Sequence, residues 1–219
     1  MTESFEKTKV AGSIAAGALD EVNNIIKPGV STSEIDKLCY EYINDHKAFS
    51  APLYYRGYPK SCCTSSNHVV CHGIPSEKIL NDGDILNVDV TAIKDGWHGD
   101  TSRMFVVGEC SVKAKKLIKT TYEAMMEAIK IIKANIKIGN IGYTIQKIVE
   151  AEGFSVVRDF CGHGIGKKFH ESPNVLHYGE KNSGQELKAG MIFTVEPMIN
   201  YGKFETKTLK DGWTAVTKD

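Results

Sequence analysis

No apolar run in this 219-residue chain approaches the ~20 residues that a membrane-spanning helix requires. The stretch nearest to a leader sequence is Val10–Leu19, preceded by Lys7 and Lys9. Its centre is mostly alanine and glycine, Glu3 and Glu6 interrupt what would be the basic region, and the apolar spacing Val10, Ile14, Ala18, Val22 runs on into Ile25 and Ile26. That spacing predicts a first amphipathic helix rather than a signal peptide. Net charge is also lacking: 27 basic residues balance 27 acidic ones, which excludes a chain drawn to nucleic acid or anionic membrane by its overall field. Arginine is scarce (Arg56, Arg103 and Arg158), which reads as codon bias rather than function. The six cysteines, Cys39, Cys62, Cys63, Cys71, Cys110 and Cys161, make no Cys-x-x-Cys pair, so a thiolate zinc knuckle or thioredoxin-like site is not expected. Free thiols in a reducing cytosol, and a cytoplasmic protein, are. Neither phosphate-loop pattern fits, and the His-Glu-x-x-His signature of single-zinc proteases is missing.

What remains is the composition of an ordinary soluble globular protein, 42% hydrophobic and 25% charged, long enough for one substantial domain or two small ones. A Pro28-Gly29 break separates the first helix from a second, opened by the capping-box signature Ser31-Thr32-Ser33-Glu34 and running to about Asp45. Residues 51–73 read as short strands and loops. Ile85 to Thr91 alternates as a strand and is followed by an Asp95-Gly96 turn. A long helix is expected from Ser111 to about Ala134, with Leu117, Ala124, Ala128 and Ile131 near one face, and a shorter one from about Tyr143 to Glu152. The order helix, helix, strands therefore occurs twice, which suggests an internal repeat. Two local alignments agree with it: Leu80–Val90 with Leu187–Pro197, and His72-Gly73-Ile74 with His163-Gly164-Ile165. They place Asp89 and Glu196 at equivalent strand positions.

Asp89 lies in an otherwise apolar strand, and Glu196 follows Ile192-Phe193-Thr194-Val195. A carboxylate buried without a cation, a proton or strong donors costs several kcal/mol. Each could instead face solvent at a strand end. Asp100 follows Asp89 by eleven residues across the Asp95-Gly96 turn, and a hairpin of that length can bring both to one face; the plainer reading is a turn aspartate. His163 stands between glycines in Cys161–Gly166, where a structural histidine is the commoner outcome. Together, three carboxylates and one imidazole suit Mn, Fe, Co or Zn, and favour two ions over one. Two such ions ~3.5–4 Å apart can activate water and polarise a carbonyl, the equipment of hydrolysis.

Several long stretches in a fixed order then resemble the type I, bacterial methionine aminopeptidases of the pita-bread metallopeptidase family. They are Gly57–Ser61, Val70–Pro75, Asn87–Thr91, His98–Ser102, Cys161–Gly166, Phe193–Met198 and Asp211–Trp213, and the resemblance spans essentially the whole chain. It implies an α+β pita-bread fold: two pseudo-symmetric αβ halves, roughly residues 1–108 and 109–219 of one catalytic domain, with antiparallel sheet and helices packed outside. It implies Asp89, Asp100, His163 and Glu196 as ligands of two divalent ions, with Asp100 bridging. His72 and His170 correspond to the family's two non-ligand histidines, which hold the substrate amide and stabilise the tetrahedral intermediate. Tyr55, Tyr58, Cys63, Cys71, Phe169, Met198 and Trp213 would line a methionine pocket, where a thioether packs well on aromatic edges and soft sulfur. Pro52 stands where relatives often carry a cysteine, so the rim of that pocket is expected to differ.

The implied activity is removal of the initiator methionine from nascent polypeptides, at the ribosome or after release, with a preference for a small second residue, by a monomer. The family pattern carries a further bridging glutamate shortly beyond the Thr217-Lys218-Asp219 segment, so a truncated final strand is expected here. That leaves an alternative, an impaired or non-catalytic binding protein of the same fold. A proline-directed relative would carry an additional N-terminal domain, for which this chain has no room.

Overall fold

The computed structural model describes residues 3–218, so Met1, Thr2 and Asp219 at the two ends of the expected resemblance lie outside the described residues. The chain forms two compact units. The first comprises the chain up to Ser111 together with Gly166–Phe169 and Thr208–Val216; the second comprises Val112–Ile165, His170–Lys207 and the chain from Thr217.

In the first unit, α1 (Glu3–Ile25) buries Ala11, Ile14, Ala15, Ala18, Leu19 and Val22. Val10, expected on that face, is nearly half exposed, because Ala11 and not its larger neighbour points at the sheet. α2 (Thr32–Asp45) is opened by the capping box read from the sequence: the Ser31 side chain accepts from the Glu34 backbone and the Glu34 carboxylate accepts from the Ser31 N–H. Four strands follow: β1 (Phe49–Ser50), β2 (Cys63–Ser66), β3 (Val69–Cys71) and β4 (Ile85–Lys94). β5 (Trp97–Val106) returns from β4 through Asp95 and Gly96, both at positive φ (51° and 77°) as the favoured two-residue hairpin turn demands. β4 is the centre of the sheet. β5 pairs antiparallel along one edge, and β1 and β2 share the other. Leu86, Val88, Val90 and Ala92 alternate into a core with Leu19, Val22, Ile35 and Cys39. α1 packs against β5 so closely that a Cβ on Gly99 would sit 2.0 Å from the Gly12 nitrogen.

The second unit contains α3 (Val112–Lys130) and α4 (Gly139–Ala151), then β6 (Ser155–Val156), β7 (Gly162–Gly164), β8 (Glu171–Val175) and β9 (Ile199–Asn200). β6 pairs with β9 and β7 with β8. β10 (Thr206–Thr208) and β11 (Ala215–Thr217) come last; Ala215 and Val216 belong to the first unit, within which β11 pairs with β3 through Ala215 opposite Cys71. α3 ends four residues short of the expected Ala134, leaving Ile131 outside it and exposed, while Ile132 packs on the core. α4 begins four residues before the expected Tyr143. Gly139 and Gly142 argue against a helix by propensity, but burial of Ile141, Ile145 and Val149 outweighs the ~1 kcal/mol per glycine.

The loops between the helices of each pair are tied down in the same way. In the first unit Gly29 donates to the Leu80 carbonyl (2.9 Å), the Leu80 N–H donates to Val30 (2.8 Å), and Thr32 donates to Lys78 (3.0 Å). In the second, Asn135 donates to Leu187 (2.8 Å), Leu187 to Ile136 (2.8 Å), and Ile138 to Gln185 (2.9 Å). Leu80 and Leu187, paired by the sequence alignment, are both fully buried anchors. No described helix is long and apolar enough to cross a membrane.

Candidate metal centre

In the first unit, register decides where the carboxylates point. Asp89 stands opposite Ser102, and Thr91 opposite Asp100. Side chains alternate along each strand, so Asp89, Thr91, Asp100 and Ser102 share one face while Val88 and Val90 enter the core. The two aspartates are diagonal neighbours, ~7–8 Å apart at Cα, within reach of a shared ligand. Both are half-buried and mid-strand, not at solvent-facing strand ends or in the turn itself.

Beside them lies most of the expected pocket. Cys63 is the β2 partner of Asp89, and burial followed by the nearby aspartate charge keeps its thiol well above the usual range and neutral. The Tyr58 hydroxyl lies 3.0 Å from both the Cys62 and Gly73 carbonyls, and its ring meets the Trp213 edge at 5.2 Å. Trp213 lies 6.3 Å from the His72 ring, and burial lowers the pKa of that imidazole. Trp213 is held by Asp211, which accepts the Trp213 and Thr214 N–H groups (2.9 Å each) and the Thr214 hydroxyl (2.6 Å). Tyr55 and Phe169 meet edge to face at 5.0 Å. Cys71 is placed by its β11 partner Ala215. One residue that sequence reasoning passed over, His98, organises the Phe169 side. Its backbone N–H and its Nδ1–H both donate to the Gly166 carbonyl (2.8 and 2.9 Å), and its ring stacks on Phe169 at 5.7 Å. Its spacing two residues before Asp100, on the same strand face, was the available signal.

In the second unit the expected Ile192–Val195 strand is a single bridge, Gly164 to Phe193. The ladder breaks because the His163 N–H donates to the Thr194 hydroxyl (2.9 Å) instead of a backbone carbonyl, although Thr194 and Ile165 donate as in a regular pair (2.9 and 3.2 Å). Gly164 permits β7 and β8 to close, since a Cβ there would lie 2.2 Å from the Ser172 carbonyl. His163 Nδ1 is 3.0 Å from the Gly164 oxygen, which can only accept, so the ring proton is on Nδ1 and Nε2 is the basic nitrogen. That nitrogen lies 3.5 Å from Glu196 Oε1. The Glu196 N–H donates to His177 Nε2 (3.1 Å), and burial pushes the His177 pKa down to about 4, so this imidazole is neutral. His170 lies beside His163, ring centres 4.2 Å apart. Met198 is in this unit too, its carbonyl accepting from Val157 (3.0 Å). Thr194 and His177 were missed in the sequence. Thr194 shares the alternation of Glu196; His177 carries no local signal.

An imidazole nitrogen and a carboxylate oxygen that face each other as electron-pair donors suit a proton or a cation between them. A Nδ1–H given to a backbone carbonyl is the usual support of a metal-ligating histidine. The carboxylate pair on the first unit's strand face and this imidazole–carboxylate pair are each of the donor chemistry that divalent transition metals take.

Metallopeptidase family M24 is matched over residues 6–217. The chain belongs to this family. Within M24 it is 52% identical over 218 residues to the methionine aminopeptidase of Rickettsia prowazekii, covering 99% of this chain and 84% of that protein. To the methionine aminopeptidase of Escherichia coli K12 it is 55% identical over 219 residues, covering 99% and 83%. The crystal structure of the R. prowazekii methionine aminopeptidase superposes with a TM-score of 0.98, covering 100% of this chain and 89% of that one. A prolidase from Pyrococcus furiosus, 23% identical, shares the fold alone, with a TM-score of 0.77 over 90% of this chain and 56% of its own. The fold is thus the α+β pita-bread arrangement, and membership of M24 carries a divalent-metal requirement.

Proposed function

We propose that this M24 chain is a methionine aminopeptidase that removes the initiator methionine from nascent polypeptides in the cytoplasm, as a monomer and with a preference for a small second residue. The observation that carries the reading is identity above half, along nearly the whole chain, to proteins of that activity. The non-catalytic alternative is not favoured by that likeness. Asp89, Asp100, His163 and Glu196 would hold two ions drawn from Co, Mn, Fe or Zn. When bound, such ions supply a Lewis acid for the scissile carbonyl and an activated water.

The remaining work belongs to the side chains. Tyr55, Tyr58, Cys63, Cys71, Phe169, Met198 and Trp213 enclose the methionine side chain, and the neutral Cys63 thiol offers sulfur rather than charge to it. His72, kept neutral by burial, can donate one N–H to the substrate amide without introducing a charge. His170 donates toward the oxygen on which negative charge develops, a contribution of roughly 10²–10³ in rate. Glu196 takes the proton from the attacking water and passes it to the leaving amine. The recurring bonds of Leu80 and Leu187 support an internal duplication, with halves near 1–108 and 109–219. The test is methionine release from a Met-Gly peptide by the purified chain supplied with Mn²⁺, and its loss on chelation. Release that survives full metal removal refutes the proposal.

A further inference from the structure

Thr194 is neither a ligand nor a pocket residue, yet its hydroxyl touches both ligands of the second unit. It accepts the backbone N–H of His163 at 2.9 Å and lies 2.5 Å from Glu196 Oε1. The His163 carbonyl, at 3.4 Å, is the poorer acceptor for the single hydroxyl proton. A carboxylate is the stronger acceptor, so the proton goes to Glu196. We infer that Thr194 is a positioning residue for the metal centre: one hydroxyl fixes the backbone that carries His163 and the rotation of the Glu196 carboxylate. The inference rests on the metallopeptidase reading above.

Three features make the hydroxyl suited to this. Threonine is stiff at χ1, so an extended backbone at Thr194 aims the oxygen without much rotamer search. The oxygen it holds is Oε1, the same atom that faces His163 Nε2 at 3.5 Å, so the clamp acts on the pair of donors that would meet a cation. The bond also stands in place of a ladder bond: the His163 N–H goes to the Thr194 hydroxyl (2.9 Å), and the side chain completes the pairing that Thr194 N–H to His163 carbonyl (2.9 Å) begins. Outer partners of this kind typically set metal affinity by about 10–100-fold.

The experiment is Mn²⁺ titration calorimetry on chelator-stripped full chain, with melting of each stripped protein alongside. T194V and T194C should lower Mn²⁺ affinity by about tenfold or more, T194S should stay within about threefold of the native chain, and the stripped proteins should melt alike. T194V or T194C binding Mn²⁺ as the native chain does, or T194S losing as much as T194V, overturns the inference. T194C, close in size to serine, decides the matter should T194V fail to fold. A native chain that takes up no Mn²⁺ sinks the metal reading itself, whereas native binding with indifferent variants sinks only the role of Thr194.

Discussion

The two units place their ligand-type residues by different means. In the first, Asp89 and Asp100 sit on neighbouring ten-residue strands whose unbroken ladder fixes their face and separation. In the second, His163 and Glu196 sit on a three-residue strand and an extended segment joined to it by one bridge, and side chains supply what the ladder does not. A backbone register tolerates change in any one neighbour; a set of side-chain bonds depends on each member. Substitutions around the hairpin should therefore act mainly on stability, and those around His163 on metal binding as well.

The largest effect removes a donor outright. D100A and H163A should each lower kcat/KM on a Met-Gly peptide by about three orders of magnitude, as loss of several kcal/mol of electrostatic stabilisation implies. If either variant keeps more than a tenth of the activity, the residue is not a ligand. Next come two glycines. G99A drives a Cβ into the Ala11-Gly12 backbone and should cost roughly 1–3 kcal/mol in urea unfolding while leaving Mn²⁺ affinity intact. G164A forces the same kind of contact against Ser172 and should lower Mn²⁺ affinity too. Equal metal affinity in the pair would erase the contrast between the units. S31A, which removes the α2 cap, should cost about 1 kcal/mol and leave activity unchanged.

The smallest effect is a pH slope. Burial holds the His72 imidazole below its ordinary 6.5, so the unfolded chain takes up a proton there before the folded one does. The associated stability is complete above pH 6.5 and is lost as pH falls through that value toward the folded pKa. H72Q should flatten the slope of melting temperature with pH in that window; an unchanged slope would place the titration elsewhere.

What was legible in the sequence was local or periodic. Ser31 and Glu34 announce α2 because a capping box is made within four consecutive residues. Asp95-Gly96 announces the hairpin, and alternation from Ile85 then puts Asp89 on the face away from the core. The start of α4 was hidden because Gly139 and Gly142 weigh against helix locally, while the burial that overrides them comes from distant segments. His177 was hidden for the same reason: its partner Glu196 is nineteen residues away, and nothing near it alternates or repeats. His98 could have been found from its position on the Asp100 face, but its acceptor, Gly166, lies 68 residues on.

The chain passes between the units at Ser111, Ile165, Phe169, Lys207 and Val216, and β3 finds its partner β11 only near the end of the sequence. Synthesis must therefore run almost to completion before the first unit can close. A fragment stopping at Ser111 would expose the edge of Val69–Cys71 and lack Phe169 and Trp213. Neither half should be obtainable as a soluble piece by a single cut, and denaturation should proceed as one cooperative transition rather than two.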